Sequence, residues 1–126
     1  MSSRARGWSG RLSSAALAGS GLGIALQPQR ALDVLGLATT SNRGTAETRA
    51  GLGGTFLALG LWALRHGSPD AYVAVGMTWL GAGAFRTLSL AIDDPETDWT
   101  YWAYLAAEIT LGLSALAAGT RHRHTT

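Results

Sequence analysis

Apolar positions gather into four stretches, at about 9–26, 44–64, 71–92 and 99–119, separated by polar links that carry the prolines. The last two approach the ~20 residues a helix needs to cross a hydrocarbon core of about 30 Å, and the first two reach that length with their flanks. Pro28, Pro69 and Pro95 all fall between stretches, where proline stops helices. The pattern predicts an all-α chain with a single domain over 1–126, built as an integral membrane four-helix bundle in antiparallel up-down order. Short links such as "RHGSPD" at 65–70 and "DDPETD" at 93–98 suit antiparallel neighbours. The longest link, 27–43, holds an amphipathic piece at 31–37 that is expected to lie along the membrane interface.

Composition sharpens this picture. Hydrophobic residues make up 47% of the 126 and charged residues 14%, against roughly 25% charged in an average soluble domain. All ten basic residues are arginine and the net charge is only +2, with no basic stripe interleaved with aromatics, so a nucleic-acid partner is not expected. Cysteine is absent, which excludes disulfides, thiolate metal sites and cysteine nucleophiles. The basic start "MSSRAR" followed by small apolar residues has the look of a secretory signal. Three further apolar stretches need a neighbour to pack on, so an uncleaved first helix is expected.

Orientation follows from arginine placement. Arg4, Arg6 and Arg11 precede or open the first stretch, Arg65 lies in the second link, Arg121 and Arg123 close the chain, and the third link has no basic residue. The positive-inside rule then places both termini and the second link in the cytoplasm; Arg30 and Arg43 in the first link disagree mildly. Trp8, Trp62 and Tyr72 fall near the inner boundary, and Trp99, Tyr101 and Trp102 near the outer one. Small residues at Ala15, Gly19 and Gly23, and at Gly53 and Gly60 around Phe56, have the spacing that lets membrane helices approach closely.

Charges inside the stretches stand out against this background. At ~1.5 Å per residue, Arg86 lies about 9 Å inward from the outer end of its helix, Glu108 about 10 Å, and Arg49 about 8 Å if its helix begins near Gly44. Glu47, in the first turn of that helix, completes a stratum of two arginines and two carboxylates. Such a cluster is either an ion network that fixes helix register or a site lining a cavity, since intramembrane ionisable residues usually mark a binding or conduction path. Tyr101 and Tyr104 share the Glu108 face, while Gly83, Trp79 and Gly76 run inward from Arg86. An aromatic lining around a few polar groups is how small-molecule sites are built.

Other motifs carry less. "RHRH" at 121–124 alternates histidine with arginines that repel a metal cation, and it reads as a solvated tail. "GSGLG" at 19–23 and "GLGG" at 51–54 lack the strand-then-helix setting of a phosphate loop. The carboxylates of 93–98 miss the calcium-loop spacing. No serine and histidine arrangement points to a hydrolase.

Three elements in order carry a family resemblance: "ETRAGLGG" opening the second stretch, "GAGAFRTLSLAID" late in the third and "YLAAEITLGL" in the fourth. Together they resemble the bacterial four-helix membrane family termed domain of unknown function 4345, within the DoxX-like group, over about 12–118. The resemblance implies a compact four-span protein of the bacterial inner membrane with no agreed activity. Its motif positions correspond to Glu47, Arg49, Gly53, Gly54, Arg86 and Glu108. "AGLGG" departs from the bulkier aromatic expected before the glycine pair.

The expected function is binding of a small amphipathic or anionic ligand, quinone or lipid-like, with Glu47, Arg49, Arg86, Glu108, Trp79 and Tyr104 as the site. Arg49 and Arg86 would be the anion contacts and the two glutamates their counter-charges. The alternative is an accessory subunit whose ion network only locks the helices and whose glycine faces dock a membrane-protein partner or another copy. A membrane oxidoreductase subunit using a diffusible quinone ranks last, because no residue set demands chemistry. No metal site is expected, and the residues leave any cofactor unknown.

Overall fold

The computed structural model describes residues 3–120, and the chain is all-α. In order, α1 covers Ser3–Leu26, α2 Pro28–Val34, α3 Asn42–Thr48, a π-helical turn Arg49–Gly54, α4 Thr55–His66, α5 Pro69–Ile92 and α6 Trp99–Thr120. The basic 121–124 tail lies outside the described residues, as do the side chains of Arg4 and Arg6.

Local chemistry sets the boundaries. Ser41 caps α3 by accepting from the Gly44 N–H at 3.0 Å, which starts the second helical run earlier than its apolar pattern implies. From there α3, the π turn and α4 continue without a break. His66 ends α4, and Gly67 follows at φ +58°, where its N–H bonds back to the Ala63 carbonyl at 2.8 Å. A left-handed residue at this position favours glycine. Ser68 then caps α5 with Pro69 in the first turn. In the long link, Pro28 starts α2 and Gly36, at φ +71°, follows its end, so the helix runs earlier than the amphipathic pattern at 31–37 predicts.

Packing depends on backbones that touch. α1 lies against α4, and α5 against α6, while α1 also contacts α6. A Cβ at Gly60 would stand 2.5 Å from the Ala18 nitrogen and 2.7 Å from the Ser14 oxygen; one at Gly53 would stand 2.8 Å from the Ala25 nitrogen. At the other contact, a Cβ at Gly76 would stand 2.8 Å from the Leu116 nitrogen, and one at Gly112 would strike the Leu80 side chain at 2.6 Å. Leu17, Ala63, Ala71, Val75 and Ala115 form the core, with Phe56, Leu59 and Trp79 packed on it.

The small-residue stripe of α1 is a correction to the sequence reading. Ala15, Gly19 and Gly23 are exposed, and neither glycine has any neighbour within 4 Å of a would-be Cβ. The packed stripe contains Ser14, Ala18, Gly21 and Ala25, around the helix from the expected one. Spacing by fours is met on both faces, so spacing alone does not choose between them. In α4 the expected Gly53 and Gly60 are both at the contact.

Serines add polar links to this seam. Ser13 Oγ donates to the Leu111 carbonyl at 2.8 Å, Ser9 Oγ to the Ser114 carbonyl at 3.3 Å, and Trp79 Nε1 to the Ser13 carbonyl at 3.1 Å. Three helices are thereby joined through groups that a purely apolar seam would leave out.

The two ends of the molecule differ. At one end Gly10 faces the Tyr72 ring and Gly119 the Pro69 carbonyl, which brings the start of α1, the α4–α5 turn and the end of α6 together. At the other, the end of α2 and the α5–α6 link share a cleft.

Gly60→Ala is expected to destabilise the fold by about 1–3 kcal/mol through overpacking against α1. Gly19→Ala, on the open face, should leave it unchanged or raise it by about 1 kcal/mol through helix propensity. Thermal unfolding of the two variants side by side checks the assignment of faces.

Candidate functional site

Glycine at 83 leaves room for α6 to approach α5: a Cβ there would stand 3.4 Å from the Glu108 Cβ and 3.3 Å from Ile109. One turn further along α5 is Arg86. Its Nε donates to Glu108 Oε2 at 2.9 Å and its Nη2 to Oε1 at 2.8 Å, a two-pronged pair in which both carboxylate oxygens are used. Fork-to-fork geometry of this kind is among the strongest hydrogen-bonded pairings in proteins. The Glu108 side chain is 5% exposed, whereas that of Arg86 is 23% exposed.

Two tyrosines of α6 complete the surroundings of the guanidinium. The Arg86 Cζ lies 5.3 Å from the Tyr101 ring centre and 5.6 Å from that of Tyr104, within range of cation–π attraction. The Tyr101 hydroxyl donates to the Arg86 backbone carbonyl at 2.8 Å, a third tie between α5 and α6. Tyr101 and Tyr104 are three residues apart and so project from one side of the helix.

Arg86, Tyr101 and Tyr104 line a cleft of about 640 Å³. Val34, Leu35 and Gly36 from the end of α2 and Pro95, Thr97 and Thr100 from the α5–α6 link and the start of α6 also line it. Asp33, Glu96 and Asp98 add three carboxylates to the lining. Arg86 has five N–H donors in all. Two are spent on Glu108, and no other protein acceptor meets its guanidinium among the described residues.

Asp98 has a structural task as well. Its Oδ1 accepts from the Thr100 hydroxyl and from the Tyr101 backbone N–H at 3.1 Å, which caps α6. The Thr100 hydroxyl bond, and after it the Tyr101 N–H, hold the Asp98 carboxyl below its ordinary value of 3.8.

The long connection from α2 to α3 is pinned by a small amide and hydroxyl network. Gln29 Nε2 donates to Thr39 Oγ1 at 3.1 Å and to Thr45 Oγ1 at 3.0 Å, and the two hydroxyls are themselves 3.1 Å apart. This fixes the segment that carries Asp33 to Gly36 against the start of α3.

Not every residue singled out in the sequence comes to this place. Arg86, Glu108 and Tyr104 are together. Glu47 instead faces Arg43 one turn back, at 3.7 Å on an exposed surface, and does not line the cleft. Arg49 opens the π turn with an exposed side chain, also away from the cleft lining. Trp79 lies two helical turns inward, where its indole is committed to the Ser13 carbonyl. The depth count treated the second run as starting near Gly44 and winding regularly. It begins at Asn42 and passes through a π turn, which shifts register. Asp33 was missed because nothing in the sequence ties the end of α2 to the far α5–α6 link. Tyr101 was visible by its spacing to Glu108.

Among the described helices, α6 alone is long and apolar enough to cross a membrane by length and composition, and 28% of its most apolar window is buried. The core helix of a soluble protein would be mostly buried. Large apolar side chains stand outward elsewhere too: Phe85 is 71% exposed, Ile92 69% and Leu26 69%. The chain thus has a helix and a surface that fit association with a membrane. A family model described as Domain of unknown function (DUF4345) matches residues 8–118. No curated protein and no solved structure matches the chain.

Two outcomes follow. Arg86→Met leaves Glu108 buried and unpaired and is expected to cost about 3–5 kcal/mol, whereas Arg86→Met with Glu108→Leu should recover more than half of that. Unfolding of the single and double variants measures the coupling, and strictly additive losses would contradict direct pairing. Separately, the depressed Asp98 carboxyl contributes stability that is full above pH 3.8 and is lost as pH falls through its lower folded value. Asp98→Asn keeps a capping side chain and should flatten that part of the acid profile, read as unfolding temperature against pH.

Proposed function

We propose that this chain, which belongs to the DUF4345 family, is a polytopic membrane protein that binds a small amphipathic ligand in the cleft between α2, α5 and α6. In this reading the four long helical runs cross the bilayer as an antiparallel bundle. The outward apolar side chains and the one strongly apolar helix support it. So does the grouping of the links. The last turn of α4 with Arg65 and the first half of α1 with Arg11 share one end, the cytoplasmic one by the positive-inside rule. The α5–α6 link, which has acidic residues and no basic one, lies at the other.

One observation carries the ligand reading: a buried Glu108 consumes two donors of Arg86, and the rest of that guanidinium borders an aromatic cleft. A lock between helices needs the first half of this arrangement and gains nothing from the second. A cleft of about 640 Å³ is within the range that holds small ligands. The apolar residues Val34, Leu35 and Pro95 suit an amphiphile, quinone or lipid-like, whose polar head reaches Arg86. Glu47, Arg49 and Trp79 have no contact in this site and are left out of it.

The accessory-subunit reading draws on a different fact, the outward Ala15, Gly19 and Gly23 face of α1. Small residues at that spacing suit close helix contact with another protein in a membrane. The two readings part on what the cleft holds.

Native mass spectrometry on protein released directly from membranes is the test. A retained small molecule is expected on the wild type. Tyr104→Ala, which removes an exposed ring from the cleft, should lower its occupancy by about fivefold, the equivalent of about 1 kcal/mol of aromatic contact. Stability should fall by no more than about 1 kcal/mol, the size of the cation–π contact with Arg86 that the ring gives up. A wild type that carries nothing from its membranes, or occupancy indifferent to Tyr104, favours the accessory reading.

A further inference from the structure

The cleft presents two demands that pull in opposite directions, and together they narrow what fits. Its floor is Arg86. The guanidinium has N–H groups beyond the two given to Glu108, and none of them meets another protein acceptor among the described residues. A guanidinium has no acceptor of its own. A headgroup seated there must therefore bring oxygen or another acceptor, and an ammonium head, with or without N–H groups, brings no acceptor and a like charge.

The rim makes the contrary demand. Asp33, on the end of α2, and Glu96 and Asp98, on the α5–α6 link, give the lining three carboxylates against one guanidinium. That guanidinium is already matched by the Glu108 carboxylate, held by two hydrogen bonds of 2.8 and 2.9 Å. An anionic head would share the cleft with three like charges and one cation whose charge is already matched. It would also have to compete with Glu108, which is buried and cannot turn to water.

Resting on the ligand reading above, we infer that the cleft takes amphiphiles with an uncharged, oxygen-bearing headgroup, and that Asp33 and Glu96 act as a filter against anions. A carbonyl or hydroxyl oxygen satisfies the Arg86 donors without disturbing the Glu108 pair, and a neutral head pays no electrostatic penalty at the rim. The sequence reading gave Arg86 to an anion; the two-pronged pair with Glu108 favours a neutral acceptor in its place. The shared chemistry, a neutral oxygen acceptor on an apolar body, belongs equally to a ring carbonyl and to the ester of an uncharged lipid.

The experiment uses the full-length protein in vesicles of phosphatidylcholine with a matched set of photo-crosslinking alkyl probes. The probes share one chain and one diazirine and differ in the head: a monoacylglycerol, an aryl ketone, an alkyl sulfate and an alkyl trimethylammonium. Crosslinks to residues 33–36 and 95–104 are quantified by peptide mass spectrometry.

At least one neutral probe is expected to label these segments about tenfold more than the sulfate or the trimethylammonium, a difference of about 1.4 kcal/mol. Which of the two labels more separates the ring carbonyl from the ester. Asp33→Asn with Glu96→Gln, which spares the Asp98 cap, should raise sulfate labelling several-fold and leave neutral labelling unchanged. Sulfate labelling equal to or above the neutral probes in the wild type would overturn the inference while leaving the ligand reading intact. So would trimethylammonium labelling above the neutral probes. No labelling by any probe, in protein whose unfolding transition is intact, overturns the ligand reading and this inference with it.

Discussion

Two hydrogen bonds between Arg86 and Glu108 fix how α5 and α6 meet, and much of the described structure serves to make those bonds possible. A carboxylate that is 5% exposed is costly to bury alone. It is paired by a fork of two donors, the missing side chain at Gly83 lets α6 come close enough for the pair to form, and the Tyr101 hydroxyl ties the Arg86 backbone to α6. The pair is asymmetric, with Glu108 enclosed and Arg86 at the edge of a cleft. That asymmetry is what turns a helix lock into a candidate site.

The rest of the fold supplies rigidity through close backbone contact rather than through large side chains. The core is made of Leu17, Val75 and several alanines, and the α1–α4 and α5–α6 seams close over Gly53, Gly60, Gly76 and Gly112. Dispersion between tightly apposed backbones and serine bonds to carbonyls across the seam suit an environment without water. Several large apolar residues, among them Phe85, Ile92 and Leu26, face outward, which fits the proposed membrane setting.

The four long helical runs and their stops were legible in the sequence because proline, glycine and serine mark each turn. The level shared by Arg86 and Glu108 was legible because both helices wind regularly from a common link, so counting residues measures depth. The same count placed Arg49 beside them, and there the "RAGLGG" segment intervenes. Its π turn leaves no trace in apolar periodicity, and Glu47 has Arg43 within reach one turn away. The α1 face was not legible either, since small residues recur by fours both at Ala15, Gly19, Gly23 and at Ser14, Ala18. The carboxylates of the cleft could not be assembled from sequence, because Asp33 on α2 and Glu96 in the α5–α6 link share a lining only through tertiary packing.

In the proposed arrangement the charged pair lies inside a bilayer and its cleft at the bilayer's edge. The chain has no cysteine, so single cysteines report side and depth without background. Ser68→Cys in the α4–α5 turn, Thr97→Cys in the α5–α6 link and Phe85→Cys beside Arg86 can each be probed in intact cells and in inverted vesicles with a membrane-impermeant maleimide. The expected result is labelling of position 97 from outside only, of position 68 from inside only, and of position 85 from neither side. Labelling of positions 68 and 97 from the same side, or ready labelling of position 85 in a soluble fraction, would contradict it.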